Sequence, residues 1–242
     1  MSTVIIVKTG STFPEIRALY ADFEDWIIEG CGQTSVPLAV VDVVRGDPLP
    51  VGDTVAGVII TGAHAMVTEA EPWMLITEAW LRQLVLQGIP VLGICFGHQL
   101  LAKALGGDVD YHPQGPEVGS VALQLTEEGL EDVLFSDLPQ QFYAYATHAQ
   151  TISRLPQAAV VLAANAFEAQ HAVRFAATTW GVQFHPEFSK PVMLAYIQAQ
   201  AQRLQDLGFN VQQLQQQVCT TSDAQQILQR FMQIIKQRQG LL

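Results

Sequence analysis

A cysteine between small residues marks the segment of this chain best suited to covalent chemistry. Residues 93–99 read Gly-Ile-Cys-Phe-Gly-His-Gln, with an apolar run at 89–92 before them and a helix-like run at 100–105 after them. The pattern predicts a strand, a sharp turn with Cys95 at its tip, and a helix. Backbone N–H groups and the helix dipole at a helix N-terminus favour a thiolate. Because a thiolate is the nucleophilic form of cysteine, the segment indicates nucleophilic catalysis.

A histidine and a glutamate two residues apart supply the partners that a catalytic thiolate needs. Such enzymes use a histidine to move the proton and a third group to orient that histidine. His185 and Glu187 flank Pro186 after a predicted strand at 178–184, so their side chains point to the same side. Cys95 also follows a predicted strand, and the carboxyl ends of parallel strands gather at one edge of a sheet. We therefore expect the three side chains to meet.

The elements that must position these residues alternate between strands and helices. Continuous apolar strands between helices predict an α/β fold with a mostly parallel central sheet and helices on both faces. The predicted strands cover 4–8, 37–44, 55–60, 91–94, 118–125, 141–146, 159–164, 172–175 and 178–184, and the predicted helices cover 13–29, 72–87 and 96–105.

The last part of the chain is rich in glutamine and reads as helical from about residue 191. Its apolar residues recur at helical spacing, as at Ile227, Phe231, Ile234 and Ile235, and charges are interleaved with them. A prion-like tract is the alternative, which this periodicity disfavours. We expect a core domain over residues 1–188 and a C-terminal helical extension over 189–242 that packs on the same domain.

Composition narrows the classes of partner. The 242 residues carry a formal net charge of −11, and no basic stripe of the kind that nucleic-acid binders show is present. No apolar run approaches the roughly 18 residues that a membrane span needs. We expect no binding to nucleic acid or to membranes.

Cysteine usage and the first residues bear on the compartment. Cys31, Cys95 and Cys219 are far apart and odd in number, which fits neither a disulfide framework nor a zinc-ligand spacing. The first residues lack the features of a signal peptide. We expect a cytoplasmic protein with reduced thiols, and neither a metal nor a cofactor.

The paired motifs at 93–99 and 185–187 closely resemble those of the class I, triad-type glutamine amidotransferases. The likeness is strongest to the amidotransferase portion of GMP synthase and its stand-alone relatives, and it covers about residues 4–188. It implies a flavodoxin-like fold and hydrolysis of the glutamine side-chain amide. Cys95 would form a γ-glutamyl thioester, His185 would transfer protons, and Glu187 would orient His185.

The resemblance also implies which residues surround the substrate. The backbone N–H groups of Phe96 and Ala63 match an oxyanion hole. The residues that match substrate contacts in the family are Gly62, Gln99, His148, Ala149 and Gln150.

Two segments depart from the family pattern. The turn at 61–64 reads Thr-Gly-Ala-His where Ser-Gly-Gly-Pro is usual, so a conformation that requires glycine would not be available at Ala63. Residues 147–150 read Thr-His-Ala-Gln where enzymes like GMP synthase tend to carry Ser-His-Gly-Asp. The missing aspartate argues against docking to a synthetase of that kind.

The motifs do not determine the substrate of the reaction or the acceptor of any ammonia released. One hypothesis is a glutaminase that passes ammonia to a separate synthetase subunit, since no Walker loop or pyrophosphatase loop is present in the chain. A second is a peptidase or hydrolase of γ-glutamyl bonds, which uses the same thioester. A third is a non-enzymatic regulatory or binding protein with a vestigial site. An α/β-hydrolase is disfavoured, because its acid would precede the histidine in sequence.

Overall fold

A nine-stranded sheet forms the frame of the protein in a computed structural model, which describes residues 2–241. The strands, in chain order, are β1 (Thr3–Lys8), β2 (Leu38–Asp42), β3 (Val55–Ile60), β4 (Val91–Ile94), β5 (Asp108–Tyr111), β6 (Glu117–Leu125), β7 (Gln141–His148), β8 (Gln150–Arg154), β9 (Val160–Ala164), β10 (Ala172–Ala176) and β11 (Thr179–Val182). The order across the large sheet is β2-β1-β3-β4-β11-β10-β9-β6-β7, and β5 pairs with β8 in a separate small sheet.

The large sheet has a parallel half and an antiparallel half. Strands β2, β1, β3, β4 and β11 pair in parallel. From β11 onward, through β10, β9, β6 and β7, neighbouring strands run antiparallel. The parallel half carries the predicted α/β architecture and brings the carboxyl ends of β3, β4 and β11 to one edge.

Helices cover both faces of the sheet, as the sequence predicted. Side chains of β1 alternate between two cores: Val4 and Ile6 pack with α2 and α9, whereas Ile5 and Val7 pack with α3 and α4. The helices are α1 (Pro14–Tyr20), α2 (Phe23–Cys31), α3 (Pro72–Leu86), α4 (Phe96–Ala104), α5 (Glu127–Glu131), α6 (Lys190–Ala199), α7 (Ala201–Asp206), α8 (Val211–Gln216) and α9 (Ser222–Arg238).

The C-terminal helices are built into the same structure. In α9, Ile227, Phe231 and Ile235 are fully buried, and the ring of Phe231 lies 6.3 Å from that of Trp180 in β11. The periodicity therefore predicted the buried face of α9 correctly. The division of the chain at residue 188 stays a prediction. No helix within residues 2–241 has the length and apolarity needed to cross a membrane.

One local prediction was wrong, and two short strands were missed. The helix expected over 13–29 is broken between α1 and α2, because Ala21 has a positive φ of 68° and the Asp22 side chain caps α2. Asp22 is held there by the backbone N–H of Thr12, at 2.8 Å, and by Lys8. The short strands β5 and β8 were missed because they are polar and lack a continuous apolar run.

Candidate active site

A cavity of about 190 Å³ opens at the edge where β3, β4 and β11 end. This edge is where ligands bind in open parallel sheets. The residues predicted from the sequence that line the cavity are Ala63, Cys95, Phe96, Gln99, His148, Ala149, Gln150 and His185.

Cys95 lies in a strained turn between β4 and α4. Its φ of 51° and ψ of −101° lie outside the regions that L-residues favour, at a cost of about 1–3 kcal/mol. The chain can turn this sharply because the residues two positions before and after Cys95 are glycines. A Cβ at Gly93 would collide with the backbone of Gly97, and one at Gly97 would lie 2.7 Å from the oxygen of Ile60. The turn places the thiol at the N-terminus of α4, facing the cavity.

His185 reaches the same cavity because β11 runs parallel to β4. Ile94 pairs with Val182, so the chain leaves both strands side by side. The backbone N–H of His185 donates to the oxygen of Tyr145 at 2.8 Å, and its Nδ1 donates to Oε1 of Glu187 at 2.8 Å. Nε2 is then the ring atom left beside Cys95, and among residues 2–241 it has no partner with hydrogen-bond geometry.

The surroundings of His185 favour its charged form. Burial lowers the pKa of the imidazole, but the Glu187 carboxylate and the Cys95 sulfur together raise it to about 10. The ring also stacks on Phe188, at 4.1 Å between centroids. A protonated imidazole beside Cys95 is the charge that stabilises a thiolate. By contrast, burial alone raises the pKa of the Cys31 thiol to about 12.

The turn after β3 forms another wall of the cavity. Thr9 anchors it, since its hydroxyl donates to the oxygen of Gly62 at 3.1 Å. Neither Gly62 nor Ala63 has a positive φ, so alanine replaces the usual glycine without backbone strain. Ala63 lines the cavity, whereas Gly62 lies behind it, where a Cβ would be 3.1 Å from Cε1 of His185.

Gln99 connects α4 to the segment that follows β7. Its Nε2 donates to the backbone oxygen of Gln150 and to Oε1 of Gln183, both at 2.8 Å. Both N–H groups of the Gln99 amide are thus in use. Its carbonyl oxygen is the group available to a ligand.

The buried carboxylate of Glu117 contacts the segment that follows β7 from the side opposite Gln99. Oε2 of Glu117 lies 3.1 Å from Nε2 of His148 and 2.9 Å from Nε2 of His171, and its Oε1 accepts from Asn165. Burial raises the pKa of Glu117, but the two histidines lower it well below its ordinary value. Nδ1 of His148 lies 3.0 Å from the oxygen of Gln150. Both ring nitrogens of His148 therefore face oxygen atoms, and these contacts fix the orientation of the ring.

The same three side chains are a possible metal-ligand set. The ligand atoms of Glu117, His148 and His171 all lie within 4.8 Å of one another, and zinc accepts such donors. The oxygen partners of both ring nitrogens account for the position of His148 without an ion. The expectation that the protein needs no metal stays a prediction. Sequence reasoning missed Glu117 and His171, because only the pairing of distant strands brings them to His148.

The C-terminal helices supply a wall that the sequence analysis also missed. Tyr196, Gln200 and Arg203 line the cavity from α6 and α7, and their spacing of four and three residues puts them on one helical face. The Tyr196 hydroxyl lies 2.6 Å from that of Thr12, and Gln200 donates to the Thr147 hydroxyl at 3.2 Å. This spacing was the signal that could have identified them.

Comparison with known proteins gives relatives of two kinds. The chain is 35% identical over 152 residues to a GMP synthase [glutamine-hydrolyzing] of Aeropyrum pernix, which covers 63% of this chain and 27% of that protein. It is 31% identical over 171 residues to a gamma-glutamyl-L-1-hydroxyisopropylamide hydrolase of a Pseudomonas species. This alignment covers 66% of this chain and 56% of that protein. The chain thus spans less than two thirds of the length of either relative.

A solved structure and a family model cover more of the chain. The crystal structure of a glutamine amidotransferase from Thermotoga maritima superposes with a TM-score of 0.73 over 98% of both chains, at 20% identity, and so shares the fold. The family model described as glutamine amidotransferase class-I matches residues 18–200. The chain therefore belongs to the class I glutamine amidotransferase family.

Proposed function

We propose that the protein hydrolyses the side-chain amide of glutamine through a γ-glutamyl thioester on Cys95. The observation that carries this proposal is the placement of Cys95, in its strained turn, beside a His185 whose Nδ1 is bound to Glu187. Membership of the glutamine amidotransferase family supports the same chemistry.

The reaction begins with attack of the Cys95 sulfur on the γ-carbonyl carbon. The backbone N–H groups of Phe96 and Ala63, on two walls of the cavity, are proposed to stabilise the oxyanion. Losing one such donor typically slows an acyl transfer by about 10²–10³-fold. The C–N bond then breaks, and the nitrogen leaves as ammonia.

His185 is proposed to move the protons. Its imidazolium, oriented by Glu187, gives the Nε2 proton to the departing nitrogen. The neutral ring then takes a proton from the water that attacks the thioester, and glutamate is released. The net reaction converts glutamine and water to glutamate and ammonia.

The remaining cavity residues are proposed to hold the amino-acid end of the substrate. The free carbonyl oxygen of Gln99 suits an α-ammonium group, and the backbone of His148, Ala149 and Gln150 suits the α-carboxylate. Gly62 is proposed to act indirectly, because its lack of a side chain leaves room for the His185 ring. Transfer of the ammonia to an acceptor, such as a separate synthetase subunit, is a further proposal. A cytoplasmic location of the protein is likewise proposed.

A second candidate function is hydrolysis of γ-glutamyl amides or peptides. It needs the same thioester, with an amine in place of ammonia as the leaving group. The similarity to the Pseudomonas hydrolase favours it, as does a cavity lined by aromatic side chains beyond the catalytic residues, at Phe13, Phe23 and Tyr196. A non-enzymatic role leaves the strained Cys95 turn without a purpose.

Replacing the nucleophile tests the proposed chemistry. Cys95→Ala removes the atom that forms the thioester, so glutamate release from glutamine is expected to fall by roughly 10⁴-fold or more. Cys219→Ala is the matched control, because Cys219 is half-buried and contributes only backbone groups to hydrogen bonds. Turnover retained by Cys95→Ala and lost by the control would refute the assignment.

The pH dependence tests the role of Glu187. Its carboxylate raises the pKa of His185, so Glu187→Gln lowers that pKa and the imidazolium is lost at a lower pH. The alkaline limb of kcat/KM for glutamine, near pH 10 in the native enzyme, is expected to move down by about 1–3 units. An alkaline limb at the same pH in both enzymes would contradict this role.

The buried carboxylate offers a test of substrate positioning. Glu117→Gln weakens the bonds that hold His148, so KM for glutamine is expected to rise by about 10-fold or more while kcat changes less. Thermal melting by circular dichroism establishes that the variant is folded at the assay temperature. An unchanged KM in the folded variant would show that Glu117 does not position the segment.

A further inference from the structure

The wall formed by α6 and α7 presents a free cation to the cavity. Arg203 is exposed, and among residues 2–241 its guanidinium has no carboxylate within ion-pair distance and no hydrogen-bond acceptor. Most of the other arginines do have an acidic partner: Arg17, Arg45, Arg82, Arg154, Arg174 and Arg230. Arg203 is therefore available to bind an anion from outside the protein.

The rest of the lining suits an anionic ligand as well. No aspartate or glutamate is among the residues that line the cavity in the described part of the chain, although the protein carries a net charge of −11. Arginine presents a planar fork of donors that matches a carboxylate with two hydrogen bonds. A carboxylate on the ligand would thus meet one strong donor, and no side chain that lines the cavity in the described part of the chain is itself a carboxylate.

Arg203 lies on the side of the cavity where we expect the leaving group to depart. The departing nitrogen takes its proton from His185, so the leaving group lies on the His185 side of Cys95. His64 lies on that side, because the Phe23 ring packs near both histidines, with centroids 6.4 Å from His185 and 6.3 Å from His64. Burial and the charges of His185 and Arg203 lower the pKa of His64, whereas Asp22 raises it. Tyr196, seven residues before Arg203, contacts Nε2 of His64 at 3.4 Å.

The other side of the cavity is occupied by different groups. Gln99 and the segment around Gln150 form a hydrogen-bonded wall that suits the α-ammonium and α-carboxylate groups of the glutamyl part. Phe13 and His64 also line the cavity, and their ring centroids are 4.3 Å apart. These rings provide an apolar surface for the part of the ligand next to the scissile bond.

We propose that the substrate class is a γ-glutamyl amide whose amine part is an amino acid or peptide, and that Arg203 binds the carboxylate of that leaving part. The proposal rests on the Cys95 thioester chemistry of the proposed function. The γ-carbonyl–nitrogen bond breaks, Cys95 takes the glutamyl group, and His185 protonates the departing amine. Water then cleaves the thioester, so the products are glutamate and a free amino acid or peptide.

A pair of substrates that differ in one carboxylate tests the proposal. γ-Glutamylalanine and γ-glutamylethylamide have the same scissile bond, but only the first carries a carboxylate on the leaving part. The native enzyme is expected to prefer γ-glutamylalanine in kcat/KM. Arg203→Gln is expected to reduce that preference by about 10- to 100-fold, the value of a charged hydrogen bond, and Arg203→Lys is expected to reduce it less.

The controls separate this inference from the proposed function. Arg45→Gln, an exposed arginine whose described partner is Asp42, should keep the native preference. An equal loss on both substrates in Arg203→Gln would overturn the proposal, since Arg203 would then serve the glutamyl part or the fold. A native enzyme without preference would also overturn it. Failure of the native enzyme on glutamine and on both amides alike would instead refute the Cys95 chemistry itself.

Discussion

The parallel pairing of β4 with β11 is the constraint on which the site depends. Gly93 pairs with Gly181 and Ile94 with Val182, so the chain leaves both strands at the same level. Glycine is required at both central positions, because a Cβ would collide with the backbone of α4 at Gly93 and with the His98 ring at Gly181. This close packing of α4 on the two strands brings the turn at Cys95 against the segment that carries His185.

The C-terminal helices both stabilise the fold and shape the cavity. Helix α9 buries Phe231 against Trp180 of β11, the strand that leads to His185. Helices α6 and α7 place Tyr196 and Arg203 in the wall of the cavity. The C-terminal segment that covers the sheet therefore also lines the space beside Cys95. In the proposed mechanism, the ends of the strands supply the catalytic residues and these helices contact the leaving group.

The sequence predicted those parts of the molecule that local pattern determines. Strands β3 and β4 were predicted with their observed bounds, because each is a continuous apolar run beside turn residues. Cys95 and His185 were expected to meet, because both follow parallel strands, and they line one cavity. Their catalytic roles stay predictions. The contact of Glu117 with His171 was missed because β6 and the residue before β10 come together only when β9 pairs with both strands.

The most direct test of the proposed mechanism is to trap the covalent intermediate on Cys95. The protein is mixed with glutamine or γ-glutamylalanine, quenched in acid within the first turnover, digested and analysed by mass spectrometry. The proposed mechanism predicts a glutamyl group on the peptide that contains Cys95, and none on the peptides with Cys31 or Cys219. Steady release of glutamate with no adduct on Cys95 at any quench time, or an adduct on another cysteine, would contradict it.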